Sequence, residues 1–424
     1  MKKILILMFM LPLVAGDLYV HPERGRKGGT KESPYKYLAD ALAAAQPGDT
    51  LHLSAGQYHG KGGSGHWEIS QDGLTLLGGY NDDFSARNPF ENITLLAFDN
   101  SPENKTKRFG GPDFKAIERA DRKPIKGLVL DGLTFDGGNR NTYREDPQNP
   151  SMKLDSTPGD FLLHLKIAGG SKAVIRNCTF LNPGKSAAVM AQGEPDSELL
   201  CSNNVFVNGV YHHMIVGRLS SKSPNRMKVQ VENNSFLFSW QVSANGEGVV
   251  VYPFTDISFK NNVFAFGDSS AIVNDRYEEM IDNRGTKTKG VNKTVRIDDN
   301  QFFMWKRGLY GWVEAGQSGT LRTSKPDDLW ETSLADGSGE GNLIADPGYQ
   351  FNRDWIELYA QRSDIAEGDV TMDAVNQWRS ALGLNLKGNN NPNRQSYAMR
   401  YPLADVMAFR KHPKGKGATL TFAP

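Results

Sequence analysis

A chain of 424 residues exceeds one ordinary hydrophobic core, which leaves two or three domains or one elongated repeat domain. Lys plus Arg number 49 and Asp plus Glu 48, and a net charge of +1 argues against a dedicated nucleic-acid binder. Gly (44) and Pro (21) without a collagen period mean turns, and two cysteines are too few for a disulfide framework.

Residues 1–16 read as an export signal: Lys2 and Lys3, then the apolar run Ile4 to Ala15, then small residues before Asp17. The apolar run is too short to span a bilayer, and no later stretch is long enough, so the expected product is exported, with no membrane span. Asp17 to Val20, Thr50 to Leu53 and Leu74 to Leu77 are the first expected strands. Between them Ser33, as N-cap, and Pro34, as first helical residue, open an expected helix over 34–45 that covers the first rung of a repeat domain.

One phrase then returns six times. It runs VLDGLTF to Phe135, VIRNCTF to Phe180, LCSNNVF to Phe206, QVENNSF to Phe236, SFKNNVF to Phe264 and RIDDNQF to Phe302. The intervals are 45, 26, 30, 28 and 38 residues, the mark of a solenoid with loops of varying length. Short alternating runs with one polar corner and no hairpin dipeptides predict parallel strands stacked about 4.8 Å apart. Asn177, Asn203, Asn233, Asn261 and Asp299 stand three before each Phe, where a sharp corner asks for a left-handed residue. The next column, Asn204, Asn234, Asn262 and Asn300 with Cys178, predicts amide ladders from rung to rung. The Phe column is expected inside. Cys178 and Cys201 differ in register by three residues, roughly 10 Å at strand rise, so both thiols are expected free.

The fold class this predicts is all-β, a single-domain right-handed parallel β-helix over residues 17–345. Residues 346–424 are read as a C-terminal cap and tail, partly helical at 369–382 and 403–409.

The opening Leu18-Tyr19-Val20, then GGTKESP at 28–34, then ALAAAQPGDTLHLSAGQY at 41–58, with the Asn-cornered rungs after them, resembles exported β-helix proteins of the pectate-lyase-like superfamily. That superfamily holds polysaccharide lyases, glycoside hydrolases and epimerases. The resemblance implies a fold and an acidic-polysaccharide partner, not a named activity.

The strand after each Phe supplies candidate site residues. The expected outward face carries one column of Lys166, Gln192, Arg218, Arg276 and Glu314, and a second of His164, Met190, Val216, Tyr252, Asn274 and Trp312. Met214 and Tyr310 share that phase, with Ile215 and Gly217 inward. Long insertions at 137–159 and 276–293 flank the face. Elimination on a uronate needs a cation on the carboxylate, a base for the α-proton and an acid for the leaving oxygen. Arg218 and Arg276 are the expected carboxylate binders, with Gln192, Asn274 and Trp312 as further substrate contacts. Lys166, His164, His212 and Tyr252 are the proton-transfer candidates. His212 and His213 face opposite ways, which disfavours a two-His metal site.

The leading function is thus an exported, monomeric lyase. The alternatives are a glycoside hydrolase, or a glycan-binding module without catalysis. For the hydrolase, Asp160, Glu247, Asp275 and Glu314 are the carboxylates at hand, Asp275 on the inward phase and Glu247 in a turn. Metal ligands are unassigned. Acidic loops such as 194–198 leave room for calcium as the one cofactor.

Overall fold

The computed structural model describes residues 15–60, 63–97, 115–119, 121, 123–137, 161–183, 187–209, 212–218, 223, 225–239, 246–267, 269–275, 279–281, 287–289, 295–305, 308–314, 317–321, 337–349, 373, 376, 377, 380 and 416–419. Each coil of the chain visits three sheets in turn. Sheet I has ten parallel strands, from Asp17–Val20 to Gly337–Ser338. Sheet II has nine parallel strands, from Gly56–Tyr58 to Leu343–Ile344. Sheet III begins at Trp67–Ile69 and is parallel up to Gly308–Glu314, where Gln317–Leu321 adds an antiparallel ninth strand. This is the right-handed parallel β-helix expected from the repeat.

The Phe column is the spine of the coil. Phe135, Phe180, Phe206, Phe236, Phe264 and Phe302 pair in register on successive rungs and are fully buried. Their ring centroids are 4.7 to 5.2 Å apart and nearly parallel. The corner residues behave as the chemistry of Asn requires. Asn177, Asn203, Asn233, Asn261 and Asp299 all have φ between 54 and 58°. One residue on, the buried Asn204, Asn234, Asn262, Asn300 and Asn342 form an amide ladder with side-chain bonds of 2.8 to 3.3 Å. Each Oδ1 also accepts the backbone N–H of the rung below, as in Asn204 N to Asn234 Oδ1 at 2.9 Å. The corner thereby satisfies amides that the sheets leave unpaired.

A second left-handed column was not legible in the sequence. Two residues after Phe180, Phe206, Phe236, Phe264 and Phe302, the residues Asn182, Asn208, Phe238, Phe266 and Met304 also take φ from 51 to 63°. No single residue type runs through this column. Asn208 donates to Asn182 at 2.7 Å and Phe238 stacks on Phe266 at 4.7 Å, so each pair stabilises the bend differently.

The N-terminal helix is shorter than expected, Leu38–Ala44, with Tyr37 at its N-cap. Ser33 and Pro34 do not start it. The backbone of Tyr35 is committed elsewhere: its N–H donates to Tyr19 O and its C=O accepts from His21 N. That bridge ties the segment to the first strand, and the helix begins only beyond it. Leu38, Ala41 and Leu42 bury against the end of the core.

Cys178 and Cys201 are free and buried. The chain also straps its own corners near the end. Gly417 N, Ala418 N and Thr419 N donate to Asn261 O, Ser235 Oγ and Asn203 Oδ1, on three successive rungs. Residues 1–14 of the expected signal at 1–16, and the helices at 369–382 and 403–409, lie outside the described residues, apart from helical backbone at 373, 376, 377 and 380. No described helix is long and apolar enough to cross a membrane.

Candidate functional site on sheet III

The registers of sheet III settle which side chains share its outer face. Phe161, Ala187 and His212 align in one outward column. His164, Met190, Ile215, Val250 and Val273 align in the next, then Lys166, Gln192 and Gly217. Tyr252 follows Gly217, its N–H donating to Val216 O. Ala187, Met190 and Ile215 form a small apolar shelf separate from the main core, with Phe161, Val250 and Tyr252 packed on it.

Several expected site residues are not on this face. Met214 and Val216 are fully buried in the core, and Ile215 and Gly217 take the outward positions. The strand bulges at its start: His213 N and Met214 N both donate to Gly248 O, so two consecutive side chains turn inward. Arg218 therefore falls on the inward phase at the corner and is 7% exposed. Its guanidinium donates to the carbonyls of Ser223 (2.6 Å) and Asn225, and lies over the Phe254 ring at 5.3 Å. It braces the following turn and is not an outward carboxylate binder. Asn274 pairs in register with Val251, lies wholly inside the coil, and donates to the hydroxyl of the buried Tyr310 at 2.8 Å. Arg276, Asp160 and the side chains of Asp275, Trp312 and Glu314 lie outside the described residues; the backbone of Trp312 pairs with Asn274.

The structure does bring others together. His164 Nε2 lies 3.4 Å from Gln192 Oε1 and its ring is 5.4 Å from that of Phe161. Lys166 is half-buried beside Gln192. His212 and His213 face opposite ways, as expected. His213 is fully buried between Phe206 and Phe236, and neither ring nitrogen has a partner among the described residues. Burial, with His212 adding to it, pushes its pKa down to about 3, so it is neutral.

Among the described residues, one buried polar cluster on this face joins a sequence candidate to a residue that sequence reasoning ranked low. His212 Nδ1 is 2.9 Å from Glu247 Oε2, and both side chains are about one-eighth exposed. Glu247 also accepts from Ser269 Oγ at 3.1 Å and from Gly246 N at 2.9 Å. Burial alone raises the carboxyl's pKa, but the His212 bond and charge outweigh it and hold Glu247 below the usual carboxylate range. Glu247 sits just before its strand, one rung above His212, so a turn position carries the dyad. Only a full register of the rungs reveals it. His212 adjoins the shelf through its register partner Ala187. Lys166 is two rungs and five positions away, roughly 20 Å at sheet spacing and strand rise, and so faces a different part of any bound chain.

The outer face of sheet I is a different surface. Lys172, Glu198, Lys228 and Asp256 align with alternating sign, as do Glu232, Lys260 and Asp298 beside them. Such ladders neutralise themselves and give a polyanion no net attraction. In the 194–198 loop, Glu194 accepts from Gly169 N and Asp196 from Asn225 Nδ2. Among the described residues no three His, Cys, Asp or Glu side chains converge on a metal-sized space.

No protein-family model and no curated protein sequence matches the chain. Solved structures similar to it include a pectate lyase (12% identity, 83% of this chain and 85% of that one, TM-score 0.35). A rhamnogalacturonan lyase matches at 13% identity (88% and 100%, TM-score 0.30). A pectin methylesterase from Erwinia chrysanthemi matches at 12% (75% and 96%, TM-score 0.29). The fold assignment rests on the strand topology and registers above.

Proposed function

We propose that the chain is an exported, monomeric enzyme that cleaves a uronate-containing polysaccharide by β-elimination on the outer face of sheet III. The observation that carries this reading is the His212–Glu247 pair beside an apolar shelf. A carboxylate on Nδ1 orients the imidazole and leaves Nε2 for the reacting proton, which suits a general base. In the reaction the proton α to the uronate carboxylate passes to His212. Its electron pair forms the new double bond, the β C–O bond breaks, and the leaving oxygen is protonated. The proton for the leaving oxygen comes from water; Tyr252 and His164 lie roughly 14–17 Å from His212 at sheet spacing and strand rise, and with Lys166 and Gln192 they contact sugar residues further along the polymer.

Hydrolysis by two carboxylates has weaker support. Glu247 is committed to His212 and Ser269, and so is poorly placed to flank a glycosidic bond. The test is a screen of the purified protein on uronate polymers. New ultraviolet absorbance from unsaturated ends, rising with chain scission, supports elimination. Scission that yields saturated ends selects hydrolysis, and polymer binding without scission selects a glycan-binding module.

A further inference from the structure

A separate cavity lies at the N-terminal end of the coil. Between the N-terminal helix and the first strands of sheets II and III is a cavity of about 580 Å³. Its lining includes Lys36, Tyr37, Asp40, Gln57, His59 and Trp67. Three features set it apart from an ordinary surface hollow. Tyr37 is 59% exposed, although large apolar side chains elsewhere in the described chain are mostly buried. Lys36 Nζ sits 5.8 Å from the centroid of that ring. His59 Nδ1 is buried without a partner, and beside it the exposed side chains of Asp40 and Gln57 make no hydrogen bond or ion pair among the described residues.

An exposed ring, a buried imidazole nitrogen without a partner and two free polar side chains lining one cavity are the composition of a ligand site. The charges choose the ligand class. One ammonium and one carboxylate cancel, so the cavity has no net pull on an anion. A planar amide, a carboxylate and an imidazole nitrogen suit vicinal hydroxyls, and the Tyr37 ring suits the apolar face of a sugar ring. The polymer face proposed on sheet III differs, since Lys166 and the two histidines there suit acidic residues.

We infer that this cavity binds a neutral pyranose residue, stacked on Tyr37 with its hydroxyls on Asp40, Gln57 and His59. The inference extends the polysaccharide reading, since it implies that the substrate carries neutral sugars as well as uronates. The first strand of sheet III is four rungs from the strand of His212, roughly 19 Å. One polymer chain lying along this edge reaches both sites.

The test is binding measured by calorimetry on the full protein, which needs no turnover. The probes are trisaccharides of glucose, galactose, mannose and xylose, with a galacturonate trisaccharide for contrast. At least one neutral trisaccharide is expected to bind, and Tyr37→Ala and Gln57→Ala each to weaken it about tenfold. Tyr37 makes no side-chain cap bond to the helix, so Tyr37→Ala is expected to keep the wild-type melting temperature. His212→Ala is expected to leave this binding unchanged. Tyr37-dependent binding in a protein that cleaves no uronate polymer would end the elimination reading and leave this site standing. Absence of binding to every neutral probe, equal binding by Tyr37→Ala, or preference for galacturonate at this cavity would overturn the inference.

Discussion

Replacing Asn234 by Ala removes the middle step of the amide ladder. Its Oδ1 accepts from Asn204 N and Asn204 Nδ2, and its Nδ2 donates to Cys201 O, Glu232 O and Asn262 Oδ1. Asn204 Nδ2 keeps Ile175 O, and Asn262 Oδ1 keeps Asn234 N. Asn204 N–H is left buried with no acceptor, at a cost of about 1–3 kcal/mol. The further lost bonds and the small void bring the total to about 3–4 kcal/mol. Because each rung is stabilised by its neighbours, a break in the middle should also split the unfolding transition. The assay is urea unfolding followed by two spectroscopic probes, with Asn233→Gly as the control. Asn233 has φ 55°, which glycine adopts without strain, and its side chain is only half-buried, so that change should cost under about 1 kcal/mol. An Asn234→Ala protein within about 0.5 kcal/mol of wild type would refute the claim that the ladder holds the corner.

Three further outcomes are expected. His213 carries a pKa of about 3 when folded, against about 6.5 unfolded. Between these values the unfolded chain binds more protons, so stability falls as pH falls, by up to about 1.4 kcal/mol per pH unit. His213→Leu should remove that slope, which pH-dependent unfolding of the two proteins will show. Cys178 and Cys201 should resist a thiol reagent in the native protein and both react in denaturant, since burial pushes the Cys201 thiol up. Removing residues 416–424 deletes the bonds to Asn261, Ser235 and Asn203 and should lower the melting temperature. An unchanged melting curve would show that the strap contributes nothing.

The coil was legible because its corner makes a chemical demand. A left-handed residue is needed at the same place on every rung, and five of the six phrases answer with Asn or Asp. The site was less legible because the outward face of sheet III is not consistently polar. Ile215 and Val250 face out while Arg218 and Asn274 face in, so polarity gives the wrong phase for those strands. The bulge at His213 and Met214 breaks the alternation on which any phase count depends. His164 and Lys166 lie on the outer face because apolar and polar residues alternate over 163–167, and Gln192, the one polar side chain of an otherwise apolar strand, aligns with Lys166. Glu247 lacks a periodic signal: it precedes its strand, and its partner lies 35 residues earlier in the chain.

The most direct test of the functional reading is the turnover of His212→Ala against wild type on a uronate polymer that wild type cleaves, with ultraviolet absorbance as the readout. A base that takes the α-proton is worth about 10²–10⁴-fold, so the variant should lose at least about a hundredfold in kcat while binding the polymer as before. Undiminished turnover by His212→Ala, or no elimination by wild type on any uronate polymer, would contradict the account.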